Sequence, residues 1–411
     1  RCRESDVSQR VVIAGAGHAA GQLVASLRQH KFEGQIVLVG DEPFLPYQRP
    51  PLSKKFLAGD MDAERLYVKP AGFYDDAGVE LHLDTTITAI DRENKSLKVA
   101  GDAEITYDKL VLALGSRARQ LAVEGTDLKG VHYLRSIADV DGIRDGMEPG
   151  RRLVVIGAGY IGLEVAAVAQ QAGLDVTVIE MADRVMSRVV SPEISDFYQI
   201  EHTSQGVRLR LSTGVTALNG KKRIKSVTTA DGEDIRADLV VIGVGIQPNT
   251  ELATDAGLAV DNGIVVDNHC ITSDPDIFAV GDCTSHPNAI YGRQLRLESV
   301  HNALEQAKTA AANICGGDVS YSQVPWFWSD QYDLKLQIAG LSEGHDDVVI
   351  RGNPAKRSFS CLYLADGRLI AVDAVNAPRD FVQSKQLIAD RVEIDATKLA
   401  DTDIALKDMT A

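Results

Sequence analysis

Val11–His30 reads VVIAGAGHAAGQLVASLRQH, and its order of residue types decides the fold. Four apolar residues make a short buried strand, and the run then meets Gly15 and Gly17, which permit a tight turn and close approach of the backbone to a pyrophosphate. Ala20 takes the third small position, where a helix must pack closely on the strand. Small and apolar residues then recur at helical spacing. A second apolar run, QIVLVGDE at 35–42, ends in Asp41, placed to accept hydrogen bonds from a ribose. A lone Gly-x-Gly-x-x-Ala turn is common at strand–helix junctions. The strand before it, the helix after it and the terminal acid make it a dinucleotide-binding unit.

The same pattern returns at 154–173, VVIGAGYIGLEVAAVAQQAG, with Gly157, Gly159 and Gly162 all present and Glu180 ending the next strand in DVTVIEMA. A carboxylate there binds a ribose 2′-hydroxyl and repels a 2′-phosphate, which favours NADH over NADPH. Arg184 lies close by and has two readings, a group that softens this preference or a solvated arginine at a helix start. Each unit is followed by alternating strand segments that end in an inner strand, at 86–116 and at 214–245. IFAVGDC (Ile277–Cys283) delivers Asp282 after a glycine; it serves either a ribityl chain or the cap of a following helix. A helix is expected over Asn302–Cys315. From Pro325 the pattern changes to short strands, with both tryptophans at the start.

The expected architecture is α/β, with two Rossmann-like dinucleotide-binding domains plus a C-terminal α+β domain. Residues 7–117 and 244–324 form the first domain, 118–243 the second and 325–411 the third. A chain of 411 residues has room for two or three cores. Its net charge of −15 argues against nucleic acid. The five cysteines, Cys2, Cys270, Cys283, Cys315 and Cys361, are irregularly spaced without a CxxC. That argues against a disulfide framework or a metal site and for a reducing cytoplasm. No run approaches the length of a membrane span, the N-terminus lacks a signal-peptide core, and TKLADTDIALKDMTA at 397–411 is too acidic for an amphipathic membrane tail.

Five segments carry a resemblance that spans the chain from Val11 to about Lys385: GDEPFLPYQRPPLSK, YLRSIADV, VVIGAGYIGLEVAA, VGDC…LESVHNALEQA and PWFWSDQYDLKLQIAGLSEG. The chain resembles the FAD- and NAD-dependent pyridine nucleotide reductases with glutathione-reductase-type domain order. Within them it is most similar to the ferredoxin reductases of cytochrome P450 and aromatic-ring oxygenase systems. It departs at Ala20 and at ALGS (Ala113–Ser116), where the family usually has ATGS. The resemblance implies tightly held, non-covalent FAD at Gly15, Gly17, Ala19, Ala20, Asp41, Arg49, Lys54, Ile87, Ala113, Gly115, Arg135, Asp282 and Val300. Arg49 and Arg135 suit phosphate, since arginine offers paired donors. NADH falls to Gly157, Gly159, Tyr160, Ile161, Gly162, Glu164, Glu180 and Gly245. The implied catalytic pair is Lys54 with Glu164, an ammonium near the flavin and the carboxylate that orients it.

The resemblance further implies hydride transfer from NADH to FAD and single-electron delivery to a [2Fe–2S] ferredoxin. Trp328, Lys308 and Lys385 are its expected docking residues, although a core tryptophan and solvated lysines fit the sequence as well. Pro43–Asp60 contains no cysteine, so the dithiol of the disulfide reductases is missing. A monomer is expected, since the disulfide reductases' dimer-borne site is not needed. The rivals are a rubredoxin reductase, a quinone-reducing dehydrogenase, which normally needs the membrane tail lacking here, and a redox-signalling flavoprotein like apoptosis-inducing factor.

Overall fold

The computed structural model describes residues 9–409, and by packing they fall into two units. The first comprises residues up to Gln48, Glu64–Arg117 and Gln247–Pro325; the second comprises Arg49–Ala63, Ala118–Ile246 and the chain from Trp326 on. Arg49–Ala63 thus packs with the second unit, although it lies within 7–117 in sequence. A reason is visible in Ser53 and Lys54, whose side chains both bond Glu164 of that unit.

In the first unit Arg10–Ala14 is the centre of a five-stranded parallel sheet. Gln35–Val39 and Val79–His82 lie to one side, Lys109–Leu112 and Ile277–Ala279 to the other. Its central strands are buried on both faces, as continuous apolar runs require. Helix His18–Gln29 packs beside helix Val300–Ile314 over this sheet, burying Leu23, Val24, Leu27, Ala307 and Ala311. The second helix starts two residues before the expected Asn302 because the Ser299 hydroxyl accepts the Asn302 N–H and caps it there. A three-stranded antiparallel sheet, Ile87–Asp91, Ser96–Val99 and Glu104–Thr106, completes the excursion before Lys109–Leu112.

The second unit repeats the design around Arg152–Ile156. Asp175–Ile179 and Arg208–Arg210 follow on one side, Leu239–Ile242 and Val131–Tyr133 on the other. Its fifth strand precedes the central strand in sequence, whereas in the first unit the fifth strand comes far after it. The same unit carries a five-stranded antiparallel sheet in the order Trp326–Gln331, Leu334–Gly340, Arg368–Val375, Ser358–Ala365 and Asp347–Asn353. Helix Pro378–Ala389 packs on it. Among the described residues, no helix is long and apolar enough to cross a membrane.

Candidate functional site

Two glycine turns, one in each unit, share their geometry. Gly15 has φ +109°, and a Cβ there would stand 2.2 Å from the Ala113 carbonyl oxygen. Gly157 has φ +103°, and its Cβ would stand 2.4 Å from the Gly243 carbonyl oxygen. Only glycine is tolerated at either place. Gly17 and Gly159 behave differently. Each is the N-cap of its helix, without a side-chain cap, and among the described residues no atom lies within 4 Å of a Cβ built there. The helix N-termini therefore face open space with their donors unused by a cap, which is the form of a phosphate cradle. Both turns thus fit the pyrophosphate of a dinucleotide.

In the first unit Ala19 and Ala20 are buried on the sheet, and Ala113 is bonded to Ala14 across it. Asp41 is exposed just beyond its strand. Ser116 donates to Asp282 at 2.9 Å, which orients that carboxylate. The segment after Asp282 is the strand Thr284–Asn288, so the reading of Asp282 as a helix cap is set aside. Gly115 has φ +61°, and its carbonyl accepts the Asn249 N–H, so the ALGS segment acts through its backbone. Ile87 and Val300 are partly exposed. Sequence reasoning missed Gln306. It is fully buried, and its Oε1 accepts Gly281 N–H at 2.7 Å and Thr284 Oγ at 3.0 Å, fixing the turn that carries Asp282.

In the second unit a Cβ on Gly162 would stand 2.1 Å from the Gly157 oxygen, so this third glycine is set by helix–turn contact. Glu180 accepts the Ala158 N–H at 2.7 Å and the Ala182 N–H at 2.9 Å. Arg184 is neither solvated nor at a helix start: it is partly buried and donates to Val190 O, Ser187 O and Ser195 Oγ, ahead of the helix that begins at Pro192. Tyr160 and Ile161 open the helix, and Ile161 is exposed. Gly245 has φ +101°.

The same unit brings Lys54 and Glu164 together at 2.7 Å, with both side chains largely buried. Ser53 and Ser329 also donate to Glu164, at 2.5 and 2.6 Å. Arg49 donates to the Arg135 carbonyl at 2.6 Å, which holds two arginines at neighbouring positions. Asp139 fixes this segment by accepting the N–H groups of Arg135 and Ser136. Trp326 and Trp328 lie 5.6 Å apart by ring centroid, and the Lys385 ammonium is 5.7 Å from Trp326 and 4.9 Å from Phe381. Lys308, in the first unit, pairs with Glu305 at 2.6 Å. Among the described residues Cys270, Cys283, Cys315 and Cys361 are free. Burial raises the Cys270 and Cys361 thiols and brings Cys283 to about 11, so these are not reactive thiolates. Cys2 lies outside the described residues.

Comparison with known proteins gives the same picture. Residues 9–307 match the family described as pyridine nucleotide-disulphide oxidoreductase, and 326–410 match the reductase C-terminal family. The chain is 45% identical over 403 residues to the 5,5′-dehydrodivanillate O-demethylase ferredoxin reductase subunit of Sphingobium sp., covering 97% of this chain and 98% of that one. It is 43% identical over 412 residues to the putidaredoxin reductase of Pseudomonas putida, covering 99% and 98%. The crystal structure of a covalent putidaredoxin reductase–putidaredoxin complex superposes with TM-score 0.95 at 43% identity, over 98% of each chain.

Proposed function

Because the chain belongs to the pyridine nucleotide-disulphide oxidoreductase family, we propose that it is an FAD-dependent NADH:ferredoxin oxidoreductase. It takes a hydride from NADH and passes single electrons to a [2Fe–2S] ferredoxin that serves an oxygenase or cytochrome P450. The observation that carries this reading is the twinned glycine turn, two open helix N-termini each with its acid nearby. When bound, FAD supplies the exchange between two-electron hydride chemistry and one-electron transfer. Residues 7–117 with 244–324 form the FAD module on this reading, 118–243 the NADH module and 325–411 the module for the protein partner.

The roles of individual side chains follow from their chemistry. Gly15, Gly17, Ala19 and Ala20 leave room for a pyrophosphate, Asp41 accepts from a ribose, and Asp282 accepts from the ribityl chain. Arg49 and Arg135 offer paired donors to phosphate. Gly157, Gly159 and Gly162 repeat the cradle for NADH, with Glu180 on its ribose. Lys54 places a positive charge where negative charge develops, and Glu164 orients Lys54. Pro43–Asp60 has no cysteine and the buried thiols are protonated, so the disulfide relay in the family's name is not used here. The free cysteines support a cytoplasmic setting.

The test is direct. The purified protein, yellow with one FAD per chain, is mixed with NADH and a panel of [2Fe–2S] ferredoxins and rubredoxins, and iron reduction is followed by absorbance. Catalytic reduction of a ferredoxin supports the reading. Turnover with rubredoxins alone overturns the choice of partner, and turnover with neither overturns the electron-transfer role.

A further inference from the structure

Strand Trp326–Gln331 alternates its side chains, as strands do. Trp326 and Trp328 share one face. Ser329 and Gln331, 0% and 1% exposed, point the other way into the unit. Among the described residues Ser329 supplies the one hydrogen bond to Glu164 Oε1, while Ser53 and Lys54 both take Oε2. Two donors therefore come from the segment that already carries the ammonium. The third comes from 165 residues along the chain.

Behind Ser329 the bonding continues without a gap. Gln331 Nε2 donates to Ser329 Oγ at 3.1 Å, and Gln331 Oε1 lies 2.8 Å from His202 Nε2. His202 Nδ1 lies 3.1 Å from the Tyr332 hydroxyl. His202 is 0% exposed, and burial lowers its pKa, so the ring is neutral with one N–H and one lone pair. The direction of every bond then follows from the carboxylate. Ionised Glu164 only accepts, so the Ser329 proton points at Oε1. The Ser329 oxygen is left to accept from the Gln331 amide. That turns Gln331 Oε1 toward His202, whose Nε2 carries the proton, and Nδ1 accepts from Tyr332.

We propose that Ser329, Gln331 and His202 are positioning residues for the Lys54–Glu164 pair. Their buried chain holds Glu164 turned so that Oε2 faces Lys54. The inference rests on the reading of that pair as the charge that assists hydride transfer. A carboxylate gripped on both oxygens does not rotate.

The experiment uses the FAD-loaded full chain. Ser329→Ala, Ser329→Thr, Glu164→Gln, Lys54→Ala and Ser329→Ala/Glu164→Gln are each reduced with NADH in a stopped flow. The wild type and Ser329→Ala are also labelled with 15N-histidine for NMR. Ser329→Ala is expected to lower the limiting reduction rate about tenfold, the scale of one charge-assisted hydrogen bond, with half-saturation by NADH unchanged. Ser329→Thr keeps the hydroxyl and restores the rate. Added to Glu164→Gln, Ser329→Ala costs nothing further, since it acts through that carboxylate. His202 shows a single Nε2–H tautomer in the wild type and both tautomers in Ser329→Ala, where the Gln331 amide is free to turn over.

Should Ser329→Ala fail to fold, Gln331→Met breaks the same chain at its next bond and takes its place. Wild-type reduction by Ser329→Ala, beside a slow Lys54→Ala, overturns the positioning role and leaves the pair standing. Wild-type reduction by Lys54→Ala overturns the reading on which it rests. A wild-type His202 carrying its proton on Nδ1 reverses the chain and overturns the proposal by itself.

Discussion

The Glu180 carboxylate accepts the Ala158 N–H at 2.7 Å, so the residue proposed for the NADH ribose is also bonded to the glycine turn proposed for the phosphates. One oxygen is held by Ala158 and the other by Ala182, which leaves the remaining lone pairs of both for a ribose. Arg184 has three of its five donors engaged with Val190, Ser195 and Ser187. The protein should therefore be reduced by NADH far better than by NADPH. Glu180→Gln should lower kcat/KM for NADH about tenfold and narrow the gap, and Glu180→Arg should narrow it further. Equal kcat/KM for the two nucleotides in the wild type would refute the role given to Glu180.

Lys54→Ala removes a positive charge that the geometry fixes at 2.7 Å from Glu164. The expected loss in NADH-driven reduction is on the order of 10²-fold, with one FAD still bound per chain. It should also lower the melting temperature, because Glu164, 3% exposed, keeps Ser53 and Ser329 as donors but loses its counter-charge. A lower melting temperature with an unchanged reduction rate identifies the pair as structural.

Asp373 is fully buried, and burial raises its pKa to about 7 while the Tyr363 hydroxyl, at 2.5 Å, opposes that rise. The folded protein thus holds a proton there that the unfolded chain has released. The stability that proton contributes is fully present below the ordinary aspartate range and is lost as pH rises toward 7. Asp373→Asn removes the dependence and keeps an acceptor for Tyr363. Its melting temperature relative to wild type should climb between pH 5 and 7 and level off above. A difference that stays flat across that range would show that Asp373 is ionised throughout.

Both dinucleotide units were legible because their signals are local: an apolar run, glycines at fixed spacing, and an acid about twenty residues on. Gly15 and Gly157 are dictated by carbonyls of the adjoining strand's turn, and that constraint leaves a glycine in the sequence. The ion pair of Lys54 with Glu164 was reached through resemblance rather than spacing, since 110 residues separate them. Gln306 and Ser329 left no such trace. Each is one polar residue among several in its helix or strand, and its meaning lies in partners that only the fold supplies. Strand Val131–Tyr133 was equally silent, as three residues joining a sheet edge carry too short a pattern to read.

Ferredoxin docking is expected to depend on Lys385 and Trp328 more than on Lys308. The chain carries −15, and two-iron ferredoxins are usually acidic as well, so local basic and apolar contact must offset a long-range repulsion. Lys385, on helix Pro378–Ala389, has its charge above the rings of Trp326 and Phe381, and it is partly exposed together with Trp326 and Trp328. Its ammonium is therefore offered beside aromatic rings, the residue type enriched in protein interface cores. Lys308 is exposed but already paired with Glu305, so part of its field is cancelled before any partner arrives. Lys385→Glu should raise the KM for ferredoxin several-fold and Lys308→Glu by less, with NADH reduction of a small dye unchanged in both. Trp328→Ala should act in the same direction as Lys385→Glu. The salt dependence of the ferredoxin reaction should be modest, because screening weakens the local attraction and the global repulsion together. Unchanged ferredoxin kinetics in Lys308→Glu/Lys385→Glu would place the docking surface elsewhere.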